Sequence, residues 1–369
     1  MGALVTRLHQ ASASPSLSVD LAAVADNTRR FVALARGEVM AVVKADGFGH
    51  GLGDVARTAV AAGATWIGVT SLAEAVAVRE SGVDVPVLSW LNPVDVDVRQ
   101  AVRYGIDLSV PGLEHLAAVE RSGPVRVHLQ LDTGMARDGA APEEWLALMS
   151  AARRAELAGN VSVVGVMGHL PCADTLGANE PGKRALLRGV EMARQAGLRP
   201  SVRHLAATSA ALTDPGTHLD VVRIGAGLVG IDPSGTTPLR SALRFTAPVV
   251  QVRRVAAGTG VGYGHAHVTD RATTLALLPV GYADGLSRAA SGAAEVWLAG
   301  RRRPVVGVIS MDQVVVDVGD DAVAPGDEAV VFGPGEQGEP TVADWARWAA
   351  TIPHEVVTGI GPRVRRSVG

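Results

Sequence analysis

Cysteine is almost absent from this chain of 369 residues: Cys172 stands alone, so no intrachain disulfide can form, which fits a reducing cytosol. Lysine is nearly as scarce. Lys44 and Lys183 face 32 arginines, so positive charge as such is supplied without lysine. Tyrosine occurs only at Tyr104, Tyr263 and Tyr282, and aromatic residues make up 4%. No apolar run approaches the roughly 20 residues of a membrane span. The first residues, MGALVTRLHQASASPS, lack the continuous apolar stretch of a secretory signal. A net charge of −3 gives no sign of a nucleic-acid or anionic-membrane surface. The expectation is a cytoplasmic protein with neither a nucleic acid nor a membrane as partner.

What is abundant is apolar: 47% of the residues, enough for a sizeable core in a chain too long for one average domain. A helix-like stretch, Val19 to Ala35, comes first. Strand candidates follow at Glu38–Lys44, Thr65–Val69, Val85–Trp90, Ile106–Val110, Val125–Leu131, Val161–His169, Val202–Ala206 and Asp220–Gly225, separated by amphipathic, alanine-rich stretches such as Leu52–Ala62 and Pro181–Ala196. Eight such alternations predict an α/β fold, a (β/α)8 TIM-type barrel, over residues 16–245. Beyond it Val249–Ala256, Thr273–Val280, Glu295–Leu298, Pro304–Val308, Val314–Val318 and Glu328–Phe332 are short, β-branched and bounded by turn residues. They predict a mainly β C-terminal domain over residues 246–369.

Barrels carry their working residues on the loops that follow the strands. Lys44 ends the first candidate strand and enters a glycine-rich turn in Ala41-Val42-Val43-Lys44-Ala45-Asp46-Gly47-Phe48-Gly49-His50-Gly51. A desolvated lysine can lose its proton and condense with an aldehyde, which arginine cannot do. A surface lysine just past a strand would show the same local pattern. Arg137 follows the fifth candidate strand, and His169 ends the sixth. Thr208 follows the seventh, and Arg223 with Gly225 ends the eighth. Loops after the seventh and eighth strands are where barrels often bind phosphate. No metal-ligand spacing is present among the acidic residues.

The segment around Lys44 resembles the pyridoxal-phosphate lysine segment of bacterial alanine racemases. The resemblance continues in family order through Asp132-Thr133-Gly134-Met135-Ala136-Arg137, Gly168-His169, His204, Thr208-Ser209-Ala210 and Val222-Arg223-Ile224-Gly225. It then takes in Val261-Gly262-Tyr263-Gly264, Gly281-Tyr282-Ala283-Asp284-Gly285, Ser310-Met311-Asp312-Gln313 and Thr351-Ile352-Pro353-His354-Glu355. It implies pyridoxal 5′-phosphate as cofactor, a small amino acid as substrate with alanine as the default, a homodimer with shared active sites, and residues 1–15 joining the C-terminal β domain as a strand. Lys44 would hold the cofactor and act as one base, and Tyr263 of the partner subunit would act as the other. Arg223 would face the pyridine nitrogen. His169, His204, Thr208, Gly225, Ala226 and His354 would surround the cofactor. Arg137, Met311, Asp312 and Tyr282 would meet the substrate.

The chain departs from that family pattern at several places. Phe48 and His354 stand where tyrosines are usual, Gln130 where a lysine is, Val308 where an arginine is, and Ala207-Thr208 replaces an Asn-Ser pair. These changes leave the lysine, tyrosine and arginine in place and alter the pocket wall. A racemase of serine or another small amino acid is therefore a second reading. A non-catalytic pyridoxal-phosphate-binding protein is a third, which the late β domain and Tyr263 argue against. A fold-related decarboxylase is a fourth, for which a cysteine in the late domain would be expected, whereas Cys172 lies in the barrel half.

Overall fold

The computed structural model describes residues 14–175 and 177–369. The strand expected from residues 1 to about 15 lies outside them, apart from Ser14 and Pro15. By internal packing the chain divides into two units, Leu21–Arg240 and a second made of the residues up to Asp20 together with Ser241–Gly369. The sequence pattern drew these limits at 16 and 245. They shift because the strand β1, Ser16–Val19, runs antiparallel to a later strand at Leu243–Pro248, pairing Ser16 with Thr246 and Val19 with Leu243.

The first unit is a closed barrel of eight parallel strands: β2 Glu38–Val42, β3 Trp66–Val69, β4 Val87–Ser89, β5 Ile106–Val110, β6 Val125–Gln130, β7 Val161–Met167, β8 Val202–His204 and β9 Val221–Ile224. Closure comes from β2 pairing with β9, Glu38 opposite Val221 and Ala41 opposite Ile224. Interior side chains cover one face of each strand and helices the other. The strands therefore read as near-continuous apolar runs rather than as alternations, and β3, β4, β5 and β9 are buried throughout. Met40, Trp66, Leu88, Met167 and Val221 pack in one core cluster.

The expected first helix, Val19 to Ala35, spans Leu21–Leu34, since Val19 is taken by β1. It buries Ala23, Val24, Asn27, Thr28 and Phe31, the three-and-four spacing of one helix face. Asn27 on that face ties down the end of the barrel segment. Its amide donates to the carbonyls of Leu228 and Arg240, and its oxygen accepts from the Arg240 N–H. A polar side chain buried with its groups so satisfied fixes the register of the helix rather than weakening it. Several strands are shorter than the sequence pattern suggested. The seventh stops at His204 and the eighth at Ile224, which leaves Gly225 on a loop, while Thr208 opens the helix Thr208–Thr213.

The second unit is built on a nine-stranded sheet. To β1 it adds β10 Leu243–Pro248, β11 Gln251–Val255, β14 Thr273–Leu278, β15 Glu295–Leu298, β16 Arg301–Val306, β17 Val314–Gly319, β18 Glu328–Phe332 and β19 Arg365–Val368. The hairpin β12 Gly260–Val261 and β13 His267–Val268 stands apart from that sheet. Phe245 and Phe332 meet edge to face at 5.4 Å in its core, and the buried Trp345 donates its indole N–H to the Val331 carbonyl at 2.7 Å.

Two turns of this unit are locked together. The Tyr282 N–H donates to the Ser310 carbonyl and the Ala283 N–H to the Met311 carbonyl, both at 3.0 Å. Arg363 donates to both carboxylate oxygens of Asp284 and to Asp312. Gly281 makes this approach possible, because a Cβ there would lie 2.3 Å from the Ser310 oxygen and 2.4 Å from the Met311 oxygen. Backbone cannot yield as a flexible side chain can, so Gly281→Ala should destabilise the protein by about 1–3 kcal/mol. Gly112→Ala, at an extended glycine with open space around it, should change stability by no more than about 0.5 kcal/mol. Denaturant midpoints of the two variants check this.

Candidate active site

Lys44 follows β2 by two residues and opens a turn of unusual hand. Ala45, Asp46, Gly47 and Phe48 have φ of 52, 54, 61 and 58°, a left-handed helical turn in which only one residue is glycine. Left-handed backbone costs an L-residue on the order of 1–2 kcal/mol, and it persists where its surroundings over-determine it. Here they do. The Gly47 N–H bonds the Val43 carbonyl at 2.8 Å, and the Gly51 N–H bonds that of Asp46 at 2.9 Å. The Ala45 N–H donates to the Glu74 carboxylate at 2.7 Å, and the Leu52 N–H to that of Asp46 at 2.9 Å. The lysine is thus presented from a fixed backbone. Burial lowers the pKa of its amine, and Arg137 lowers it further against the opposing pull of Glu74.

Arg137 stands after β6 on a loop organised by Asp132, whose carboxylate accepts the N–H groups of Gly134, Met135 and Ala136. Burial works against ionisation of that carboxyl, but the three N–H bonds outweigh it and hold the pKa below the usual range. Thr133 ties this loop to the next strand end, donating to the His169 carbonyl at 2.6 Å and accepting the His169 N–H at 3.1 Å. The pKa of His169 falls to about 3, chiefly through burial and then through Arg223, Arg137 and Lys44. Lys44, Arg137, His169 and Arg223 therefore share one electrostatic environment at the C-terminal ends of the barrel strands.

Arg223, on β9, is buried. It donates to the carbonyls of Gly168 and Leu205 at 2.8 and 3.1 Å, and to Nδ1 of His169 and of His204, both at 3.2 Å. Burial lowers its pKa to about 10, so it remains a cation at neutral pH. Both imidazoles accept from it and are neutral. His204 is pushed well below its ordinary range, by burial first and then by Arg223 and His128.

Thr208 opens the helix after β8, and Gly225 and Ala226 begin the helical turn after β9. Thr208 Oγ1 accepts the Gly227 N–H at 3.2 Å, which leaves its own O–H to donate elsewhere. Phe48 packs so closely that a Cβ at Gly225 would lie 2.7 Å from its Cζ. Gln130 is buried and accepts from the Ser109 hydroxyl at 2.6 Å.

The remaining sequence candidates belong to the second unit. Tyr282, Met311 and Asp312 lie on the two locked turns, Tyr263 on a turn after β12, and His354 on the helix Pro353–Thr358. Tyr263 is 72% exposed and Met311 53%. Sequence reading missed Glu74, Thr133, His128, Asp107 and Arg363, which hold candidate residues in place. A signal existed for His128: it has the parity of Gln130 on β6, and so shares its face of the strand.

The comparisons with known proteins point to one family. The family described as "Alanine racemase, N-terminal domain" matches residues 19–233, and "Alanine racemase, C-terminal domain" matches residues 242–368. The chain belongs to the alanine racemase family. A relative named alanine racemase from Thermobifida fusca is 45% identical over 361 residues, covering 94% of this chain and 96% of that one. The crystal structure of alanine racemase from D-cycloserine-producing Streptomyces lavendulae superposes with a TM-score of 0.94 at 42% identity, covering 96% of this chain and 97% of that one. An alanine racemase from Bartonella henselae, described with covalently bound pyridoxal phosphate, has a TM-score of 0.87 at 26% identity, covering 97% and 100%. This alanine racemase family member is an isomerase, an amino-acid racemase. Among its described residues no helix is long and apolar enough to cross a membrane.

The neutral His169 makes stability depend on pH. Its pKa is lower in the folded chain, about 3, than the roughly 6.5 of an unfolded histidine. Below about pH 6.5 the unfolded chain binds a proton that the folded chain refuses, so stability falls with pH from there toward 3. Between pH 7 and 5 this contributes a loss of up to about 2 kcal/mol. His169→Gln should lose correspondingly less over that interval in urea unfolding.

Proposed function

We propose that the chain interconverts L- and D-alanine with pyridoxal 5′-phosphate held on Lys44, using two bases, Lys44 and Tyr263 of the partner subunit. The observation that carries this reading is Lys44 itself. One of two lysines in the chain, it is desolvated, lowered in pKa, and placed on a rigid turn beside Arg137. An amine so lowered is the species that condenses with an aldehyde.

The residues around it fit the cofactor. The Thr208 hydroxyl is left to donate to a phosphate, and Gly225 and Ala226 offer backbone beside it. Phe48 supplies no hydroxyl, so the phosphate would rest on that threonine and on main-chain groups. Arg223 would donate to the pyridine nitrogen without protonating it, since a guanidinium only donates. His169, His204 and His354 would complete the surroundings. Bound pyridoxal phosphate supplies an electron sink that makes the Cα proton of a joined amino acid acidic.

The chain's own groups then decide where the proton goes. Arg137 and the Met311 N–H would hold the substrate carboxylate, with Asp312 and Tyr282 alongside. The Lys44 amine would take or return a proton at one face of Cα, and the Tyr263 phenol at the other. A shared site in a homodimer accords with the exposure of Tyr263, Tyr282, Met311 and Ile352 on the second unit, side chains that a second copy would cover.

Borohydride reduction of protein loaded with pyridoxal phosphate should place the pyridoxyl group on Lys44, read by peptide mass analysis. A label on Lys183 would overturn the assignment. Chiral chromatography of products from a panel of L-amino acids should give D-alanine as the main product, and a predominance of D-serine would establish the serine reading instead. In the same assay Tyr263→Phe should lose about 10²–10⁴-fold in turnover while still binding cofactor. Mixing it with Lys44→Ala chains should restore one intact site per mixed dimer. No recovery after verified exchange would place both bases on one chain.

A further inference from the structure

A row of four buried polar side chains crosses the barrel interior: Asp107 on β5, His128 on β6, His204 on β8 and Arg223 on β9. None is more than 5% exposed. Arg223 donates to His204 Nδ1 at 3.2 Å, His204 Nε2 lies 2.9 Å from His128 Nδ1, and His128 Nε2 lies 3.3 Å from the Asp107 carboxylate. The two ends of this row are chemically unambiguous. A guanidinium can only donate, and a carboxylate can only accept.

The proton positions between them follow. His204 must present a bare Nδ1 to Arg223, so its proton is on Nε2 and points at His128. His128 must then accept at Nδ1, so its proton is on Nε2 and points at Asp107. A proton on the other nitrogen of either ring would set two N–H groups against each other. At the far end, burial disfavours the Asp107 carboxylate, but the bonds from His128 and Arg126 outweigh it and keep its pKa below the usual range. Arg126 closes that end with two donors, at 2.8 and 3.1 Å.

The row matters because of what Arg223 lacks. Its bonded partners are two carbonyls and two imidazoles, all neutral. The acid reached along its own hydrogen bonds is Asp107, two rings away. The barrel makes room for this arrangement at Gly165, where a Cβ would lie 2.3 Å from His128 Nδ1.

We propose that Asp107 and His128 are positioning residues for Arg223. Together they fix the proton order of the row, so that His204 always offers an acceptor and the guanidinium is held in one orientation toward the cofactor site. The proposal rests on the reading of that site given above. Asp107 and His128 touch neither substrate nor cofactor in this role. They act through His204.

The test begins with the full chain carrying 15N-labelled histidine, with and without added pyridoxal phosphate. His128 and His204 should both show the neutral Nε2–H pattern. An Nδ1–H tautomer or an imidazolium at either position overturns the proposal, whatever the protein catalyses. Asp107→Asn brings a carboxamide donor to the end of the row. It should turn part of the His128 signal to Nδ1–H and lower kcat about tenfold, the rate equivalent of one hydrogen bond of ordinary net strength, with KM unchanged. An unaltered kcat, or a loss seen only in KM or in the folded fraction, gives Asp107 a merely structural part and sinks the idea. A parent protein that shows the expected nitrogen pattern but no racemisation would refute the functional reading while leaving the proton order established.

Discussion

A guanidinium in the core of a barrel is the constraint from which the rest of the site follows. Taking such a cation out of water costs several kcal/mol unless every donor finds a partner. Arg223 meets much of this with carbonyls from two strand ends and two imidazole nitrogens. Because those imidazoles face a permanent cation in a desolvated place, they stay neutral. His169 and His204 are therefore fixed as acceptors toward Arg223, and their protons are directed away from it. One buried charge sets the state of its neighbours, and they set the state of theirs.

The two units divide the work by type of backbone. In the barrel unit the groups that would handle the cofactor sit at or just past the ends of the strands. Thr133 joins two of those ends, and Asp132 pins the loop that carries Arg137. In the second unit Tyr282, Met311 and Asp312 ride on turns locked by Gly281 and Arg363. Both arrangements place reactive or polar groups on short, over-determined segments. Positioning of that kind lowers the reorganisation a reaction must undergo.

Much of this was legible in the sequence. The eight strand–helix alternations gave the barrel because apolar strands separated by amphipathic stretches leave few other closures. Lys44, Arg137 and His169 lie just past barrel strands, while His204 and Arg223 lie on them. The parts that were not legible depend on long-range partners. Strand β10 escaped because Leu243-Arg244-Phe245-Thr246 reads as the tail of the barrel segment until Ser16–Val19 is known to lie beside it. Asp107 and His128 looked like isolated polar residues in apolar strands, since their meaning lies in pairing across β5, β6 and β8. Lys44 was expected at a strand end. The strand stops at Val42, and local propensity gave no warning of the turn that follows.

That turn has a consequence for which sequences the segment can accept. In left-handed backbone every L-residue is strained and a β-branched or bulky side chain most of all, while glycine and aspartate are better tolerated. Asp46 and Gly47 are of the tolerated kind, while Ala45 and Phe48 are held there by the hydrogen bonds around the turn. The stretch beside the lysine therefore carries a signature of handedness as well as one of chemistry. Valine, isoleucine or threonine at 45, 46 or 48 is excluded by geometry before any question of polarity arises.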